Sequence, residues 1–343
     1  MFSLRVLNAC LLTAGLVCAA DSDAVKQAAA RGEQRFAKAP EALRPAFRKL
    51  AAQALDQRYP DLAKQFSDPS AAPVPAGGPG RTAAPRTPPS AEAAAIQKSM
   101  GQIRALATDA ERGKVVIKLA ADIRALPAGR EKLNLASSLS NLATEGDLGK
   151  EALNGVAAAL AQALHETEGA ASNYVELAKL IRYEHVTPPS ADPALDAAAA
   201  VLELRDQVLQ ETGFTLTALD GKVYNLEALR GHVVLLNFWA TWCPPCRKEM
   251  PDMQRLYERF EKKGLIVLAV SDEKRETVEG FLAKQSYTFP ILLDPDRKTN
   301  TAFYVEGIPK SFLFDRQGRL VAQSIDMRTE SQFLEMFKSA GLE

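Results

Sequence analysis

The run Val233-Val234-Leu235-Leu236-Asn237-Phe238-Trp239-Ala240-Thr241-Trp242-Cys243-Pro244-Pro245-Cys246-Arg247-Lys248-Glu249-Met250-Pro251 decides the fold of the C-terminal part of the chain. Its first seven residues are apolar except Asn237, the pattern of a central strand buried on both faces. Helical character takes over at about Cys246 and continues through Phe260. Pro244 and Pro245 lack N–H groups and are tolerated only in the first turn of such a helix. Cys243 then stands at the helix start, where unpaired N–H groups and the positive end of the dipole favour its thiolate. Cys243 is therefore the expected attacking thiolate. Cys246, one turn in and facing inward, is the expected resolving thiol that releases a mixed disulfide.

Around this run lie further strand-like segments: Phe214 to Thr217, Leu265 to Ser271, Ile291 to Leu293, Ser311 to Phe314 and Leu320 to Ser324. Helical patterns alternate with several of them, which predicts an α/β sheet domain from Gly213 to Glu343. Asp220-Gly221 and Gln317-Gly318 are hairpin signals. Ten of the 14 Phe and both Trp lie in this part of the chain.

Upstream the character changes. From Ser90 to Glu211 the chain reads as helices, with apolar stripes at Val116, Leu119, Ala120 and Ile123, then at Leu135, Leu139 and Leu142. Asp147 is expected to cap a third helix carrying Leu153, Val156, Leu160 and Leu164. Tyr174, Leu177 and Ile181 mark a fourth, and Asp192 to Gln210 a fifth. The bundle reads as a scaffold or spacer, and His165 and His185 lie in it without a matching acid, nucleophile or ligand cluster. Pro69 to Pro89 holds seven prolines and three glycines and reads as an extended linker. It sets a helical arm, Asp23 to Phe66, apart from everything after it. The expected divisions are residues 1–20, a signal peptide; 21–66, the helical arm; 67–90, the linker; 91–212, an all-α domain; and 213–343, the α/β domain.

The signal peptide is read from Arg5, the apolar stretch Val6 to Val17, and small residues ending at Ala20, where cleavage is expected. The apolar run is too short to span a membrane. A lipoprotein anchored through Cys18 is disfavoured because Val17 stands where such sites prefer a small residue. Cleavage would remove Cys10 and Cys18, leaving Cys243 and Cys246 as the mature chain's thiols, in an exported, periplasmic or otherwise extracytoplasmic protein.

Composition sets the outer bounds. A chain of 343 residues suggests two domains. With 42 Lys+Arg against 42 Asp+Glu it lacks the basic excess that nucleic acids or anionic membranes require. The C-terminal domain is balanced as well, 18 against 18, so recognition there should rest on a groove and backbone pairing rather than charge steering. At 47% hydrophobic residues there is ample material for a core. Four cysteines are too few for a disulfide scaffold.

The block from Phe214 to Gly341 resembles the thioredoxin-like fold, and specifically the extracytoplasmic TlpA/ResA/CcmG branch of the redoxin (AhpC/TSA) group. The resemblance rests on Asp220-Gly221-Lys222 with Leu229-Arg230-Gly231, the run Asn237 to Pro251, the insert Phe289-Pro290-Ile291-Leu292-Leu293-Asp294, and Tyr304 to Asp315. It implies a mixed sheet flanked by helices, with an N-terminal hairpin and a central insert, preceded here by the all-α region. It also implies that Pro309 is a cis-proline facing the cysteines, with the backbone at Ile308 pairing with a bound client chain. Trp242, Pro244 and Pro245 would line the same groove, and Pro251 would kink the helix. The implied activity is thiol-disulfide oxidoreduction, most simply the reduction of disulfides in client proteins such as apocytochrome c, supplied by a membrane thiol-disulfide electron donor. No cofactor and no metal are implied.

Two positions bear on proton transfer. Cytoplasmic thioredoxins carry a buried Asp six residues before the first cysteine; Asn237 stands there and cannot exchange a proton. Glu249, three residues after Cys246 on the same helical face, matches an acidic position of the ResA-like subgroup and is the expected proton-handling group, its pKa raised by partial burial. Other functions fit less well. A thiol peroxidase would need Thr or Ser at Ala240 and Pro at Leu236, and a copper-delivery protein would need CxxxC and a histidine beyond His232. The remaining alternatives are an isomerase or oxidase that forms a homo-oligomer through the helical region, or a scaffold with a vestigial redox domain.

Overall fold

A computed structural model describes residues 22–56, 58–67, 88–187, 190–324 and 326–343. The expected signal peptide and most of the expected linker lie outside the described residues. The N-terminal half contains nine α-helices among the described residues: α1 Asp23–Phe36, α2 Arg44–Leu55, α3 Pro60–Phe66, α4 Ala91–Gln102, α5 Asp109–Ala125, α6 Arg130–Ala143, α7 Gly149–Glu166, α8 Ala171–Tyr183 and α9 Pro193–Gln210. Local chemistry fixes several starts. Thr108 and Glu111 form a reciprocal capping box on α5. Asp192 accepts from the N–H groups of Ala194 at 2.7 Å and Leu195 at 3.2 Å, with Pro193 beginning α9.

The expectation that residues 21–66 form a separate arm is corrected by the packing. Phe36 stacks on Phe47 with ring centroids 6.2 Å apart and meets Phe66 edge-on at 6.1 Å. Arg35 of α1 pairs with Asp196 and Glu203 of α9, each at 2.8 Å. A single buried apolar cluster runs from Val25 to Val208. The reason is simple: helices of two to four turns cannot bury an apolar stripe on their own and are marginal in water without a packing partner. Helix α4, capped by Ser90, lies within the expected helical stretch and buries a sparse stripe, Ala93, Ile96 and Met100. One smaller correction belongs here. Asp147 caps no helix; α7 begins after Leu148, and the Asp147 carboxylate accepts instead from Ser331 Oγ at 2.6 Å in the C-terminal domain.

The C-terminal domain comprises β1 Thr215–Ala218, β2 Val223–Asn225, β3 Val233–Phe238, α10 Pro244–Phe260, β4 Leu265–Ser271, α11 Arg275–Leu282, β5 Ile291–Leu293, α12 Lys298–Ala302, β6 Lys310–Phe314, β7 Leu320–Gln323 and α13 Glu330–Ser339. The sheet order is β2-β1-β5-β4-β3-β6-β7. Strands β3, β4 and β5 are parallel neighbours, β6 runs antiparallel beside β3, and β7 runs antiparallel beside β6. Gly221, at φ 84°, turns the β1–β2 hairpin. All six residues of β3 are buried, and alternation sends them to two cores. Val233 and Leu235 meet α10 and α13, whereas Val234, Leu236 and Phe238 meet Phe303, Phe312 and Phe314. Asn237 shares the parity of Val233 and Leu235, so it lies under α10. That places it beneath the cysteine pair.

The helical domain docks against the outer strand β7 and the loop before β6. Gln210, the last residue of α9, accepts from the Leu320 N–H at 2.6 Å and donates to the Gly318 carbonyl at 3.0 Å. Asp206 accepts from Gln323 at 2.7 Å, and Arg205 donates to the Tyr304 carbonyl at 2.8 Å. An edge strand with free backbone groups is a liability, and here it is covered.

Candidate active site

The site is built where β3 hands over to α10. Cys243 takes the N-cap position, with Pro244 and Pro245 filling the first turn, where the missing N–H groups cost nothing. Cys243 and Cys246 form a disulfide. The Cys243 sulfur accepts from the Cys246 N–H at 3.2 Å, the interaction that would stabilise a thiolate at this position once the disulfide is opened. Both residues are covered in this state, Cys243 2% exposed and Cys246 0%, so the expected difference in exposure between them is slight.

The turn ahead of the cysteines is held by a residue the sequence did not suggest. Glu273, just after β4, accepts from the Thr241 N–H at 2.6 Å and its hydroxyl at 2.7 Å. Trp242, between this clamp and Cys243, is 67% exposed, whereas Trp239 is buried against Phe281. On the other side, the Ile308–Pro309 peptide bond is cis and the Ile308 carbonyl lies 3.8 Å from the Cys243 sulfur. Cys243 thus stands between the exposed Trp242 and the cis Ile308–Pro309 bond, with Pro244 and Pro245 following it in the first turn of α10. Pro251 lies inside α10.

Beneath the cysteines is a closed polar cluster. Glu249 is 1% exposed, so its burial is complete rather than partial as expected from the sequence. One carboxylate oxygen accepts from Asn237 Nδ2 at 2.7 Å, and the other from the Arg328 backbone N–H at 2.9 Å. Burial pushes the Glu249 carboxyl up to about 8, against the two donated hydrogen bonds and the Arg328 charge, which hold it down. Asp326 adds to the upward push. Asn237 also donates to Ser311 at 3.0 Å, and its Oδ1 has no partner. Turning that amide over would offer Oδ1 to a protonated Glu249, so the cluster can accommodate both protonation states. Glu249 and Cys246, three residues apart and both buried, share one face of α10. Asn237 and Glu249 were legible from the sequence. Ser311, Glu273 and Arg328 were not, because each is brought in by a distant strand or loop.

The AhpC/TSA family matches residues 210–323. The thiol-disulfide oxidoreductase ResA of Bacillus thuringiensis (strain Al Hakam) is 40% identical over 120 residues, 35% of this chain and 69% of that protein. The chain belongs to the ResA family of thiol-disulfide oxidoreductases. ResA of Bacillus subtilis (strain 168) is 38% identical over 119 residues, 34% of this chain and 66% of that protein. Among solved structures, StoA from Bacillus subtilis is 28% identical, with 37% of this chain and 96% of that one covered and a TM-score of 0.34. The ResA-like part is the C-terminal domain, and its fold is the expected thioredoxin-like one. The protein is accordingly a thiol-disulfide oxidoreductase.

Proposed function

We propose that this ResA-family protein works outside the cytoplasm as a reductant of disulfides in client proteins, the maturation of cytochrome c being one such use. The observation that carries the reading is the placement of the Cys243 sulfur, at the start of α10 and 3.8 Å from the Ile308 carbonyl that precedes Pro309. One side stabilises a thiolate, and the other offers backbone to which a client strand could add. A membrane thiol-disulfide donor first supplies two electrons and two protons, opening the Cys243–Cys246 bond. The Cys243 thiolate then attacks a client sulfur; a Cys243–client bond forms, the client disulfide breaks, and the departing sulfur takes a proton. Cys246, deprotonated, attacks the Cys243 sulfur, restoring the internal disulfide and releasing the second client thiol. Glu249 receives the Cys246 proton as that attack begins and gives it up again, by way of solvent, to the second client sulfur. The client leaves reduced by two electrons and the enzyme is oxidised by two.

No helix among the described residues is long and apolar enough to cross a membrane. The helical domain covers β7 and the loop leading to Pro309, and so narrows the approach to the client groove from that side. The direction of electron flow is read by equilibrating the Cys243–Cys246 pair in glutathione or dithiothreitol buffers and counting free thiols. A potential below about −200 mV is expected for a reductant; one near −120 mV, the range of strongly oxidising exported enzymes, would overturn the assignment.

A further inference from the structure

Among the described residues, one ion pair has both side chains less than a tenth exposed, and it joins the two domains. Arg328 lies in the loop between β7 and α13, and Glu184 follows the last residue of α8. The pair is bidentate: Arg328 Nη1 donates to Glu184 Oε2 at 2.8 Å, and Nη2 donates to Oε1. Glu184 is an unfavourable residue for its place, since a helix C-terminus already carries partial negative charge. Burial adds a desolvation cost that only a well-placed cation can offset. Among the described residues, Glu184 is the carboxylate paired with the Arg328 guanidinium, whose Nε is without an acceptor. Removing either partner leaves the other buried and short of its strongest interaction.

The same arginine reaches the redox site through its backbone. Its N–H donates to Glu249 Oε2 at 2.9 Å, while its side chain is held in the other domain. The end of the loop is tied to the helical domain a second time, where Thr329, the N-cap of α13, and Ser331, in its first turn, donate to Asp147. The charged groups that act on Glu249 are Arg328 and Asp326 on the loop, and Cys246 lies three residues before it on its own helix. Behind them, Glu184 faces both Arg328 and Asp326, and Glu145, itself paired with Arg104, faces Asp326.

We propose that Glu184 and Arg328 are a positioning pair through which the helical domain holds the Arg328 N–H on Glu249 and so tunes proton transfer with the cysteine pair. The helical domain is then a working part of the redox site and not a spacer. This rests on the reading of Glu249 as the proton-handling group. Losing Glu184 frees the guanidinium to leave the interface for water, and the loop moves with it. Glu249 then loses both the N–H bond and the nearby positive charge, and each loss favours its protonated form.

The test is the pH dependence of Cys243 alkylation in the reduced, full-length protein, for the wild type, Glu249→Gln, Glu184→Gln, Arg328→Lys and Glu184→Gln/Glu249→Gln. Glu184→Gln is expected to move the Glu249-dependent inflection upward by about one pH unit, roughly what one lost hydrogen bond to a carboxylate produces. Arg328→Lys keeps the charge and the N–H but not the fork, and should move it part of the way. In the Glu249→Gln background, Glu184→Gln should add no shift. The proposal is overturned if folded Glu184→Gln and Arg328→Lys both retain the wild-type profile, or if Glu184→Gln shifts the profile without Glu249. Should Glu184→Gln not fold by circular dichroism, Arg328→Lys decides alone. A Glu249→Gln profile identical to wild type would instead sink the underlying role of Glu249, an outcome read separately.

Discussion

Replacing Cys243 by Ser is expected to lower disulfide-reductase turnover by three orders of magnitude or more, the scale of loss when an enzyme's nucleophile is removed. Serine is nearly isosteric, so the start of α10 and the Ile308 contact should survive and the loss should be chemical. Cys246, one turn further into α10, lacks the helix N-cap position that favours the Cys243 thiolate. A hydroxyl at position 243 would not ionise near neutrality even beside the Cys246 N–H, because its intrinsic acidity is far below that of a thiol. Turnover of a disulfide-bonded protein substrate with a thiol donor checks this. Activity within a factor of ten of wild type would mean that Cys243 is not the attacking group.

The second large effect is on pH. A carboxyl raised to about 8 in the folded protein, from an ordinary value of 4.5, binds its proton more tightly folded than unfolded. The sign follows from linkage: stability from this group is fully present below about pH 4.5 and is lost progressively as pH rises to about 8. At 1.36 kcal/mol per unit the loss is on the order of 5 kcal/mol, an upper bound because the cluster around Asn237 and Arg328 can relax or admit water. Glu249→Gln imitates the protonated acid. With the Asn237 amide turned over, the Gln Nε2 would donate to Oδ1, which otherwise lacks a partner, and Oε1 would accept from Arg328. The variant should therefore be the more stable protein at pH 8.5 and close to wild type at pH 4.5. Urea denaturation of both oxidised proteins across this range tests it; parallel stability curves would contradict a buried, proton-binding Glu249.

Much of this architecture was legible in the sequence, for reasons that also explain what was not. An unbroken apolar run such as Val233 to Phe238 has few alternatives to a central strand, and the boundaries of β4 and β5 follow from similar runs bounded by polar residues. The prolines after Cys243 fix the helix start because they fit almost nowhere else in a helix. An apolar stripe, however, says that a helix is buried and not what covers it. Nothing local to residues 23–66 names α9 as their partner, and the prolines of the linker suggest separation where Phe36, Phe47 and Phe66 pack into one core with the rest of the helical domain. The same limit hid Arg328 and Glu184, which are 144 residues apart in the chain and carry no local pattern. Asn237 and Glu249 were visible because they sit at fixed offsets from the cysteines. The donors that complete their cluster come from β6 and the loop before α13, which only the folded sheet brings near.

The central claim is that Cys243 attacks a client disulfide and Cys246 resolves the product. The most direct measurement is to express Cys246→Ser in the native compartment, block free thiols, and map any covalent adduct by mass spectrometry. The account predicts a reducible conjugate linked through Cys243 and absent from the Cys243→Ser/Cys246→Ser double variant. Conjugates that accumulate in Cys243→Ser but not in Cys246→Ser would reverse the two roles and contradict the account.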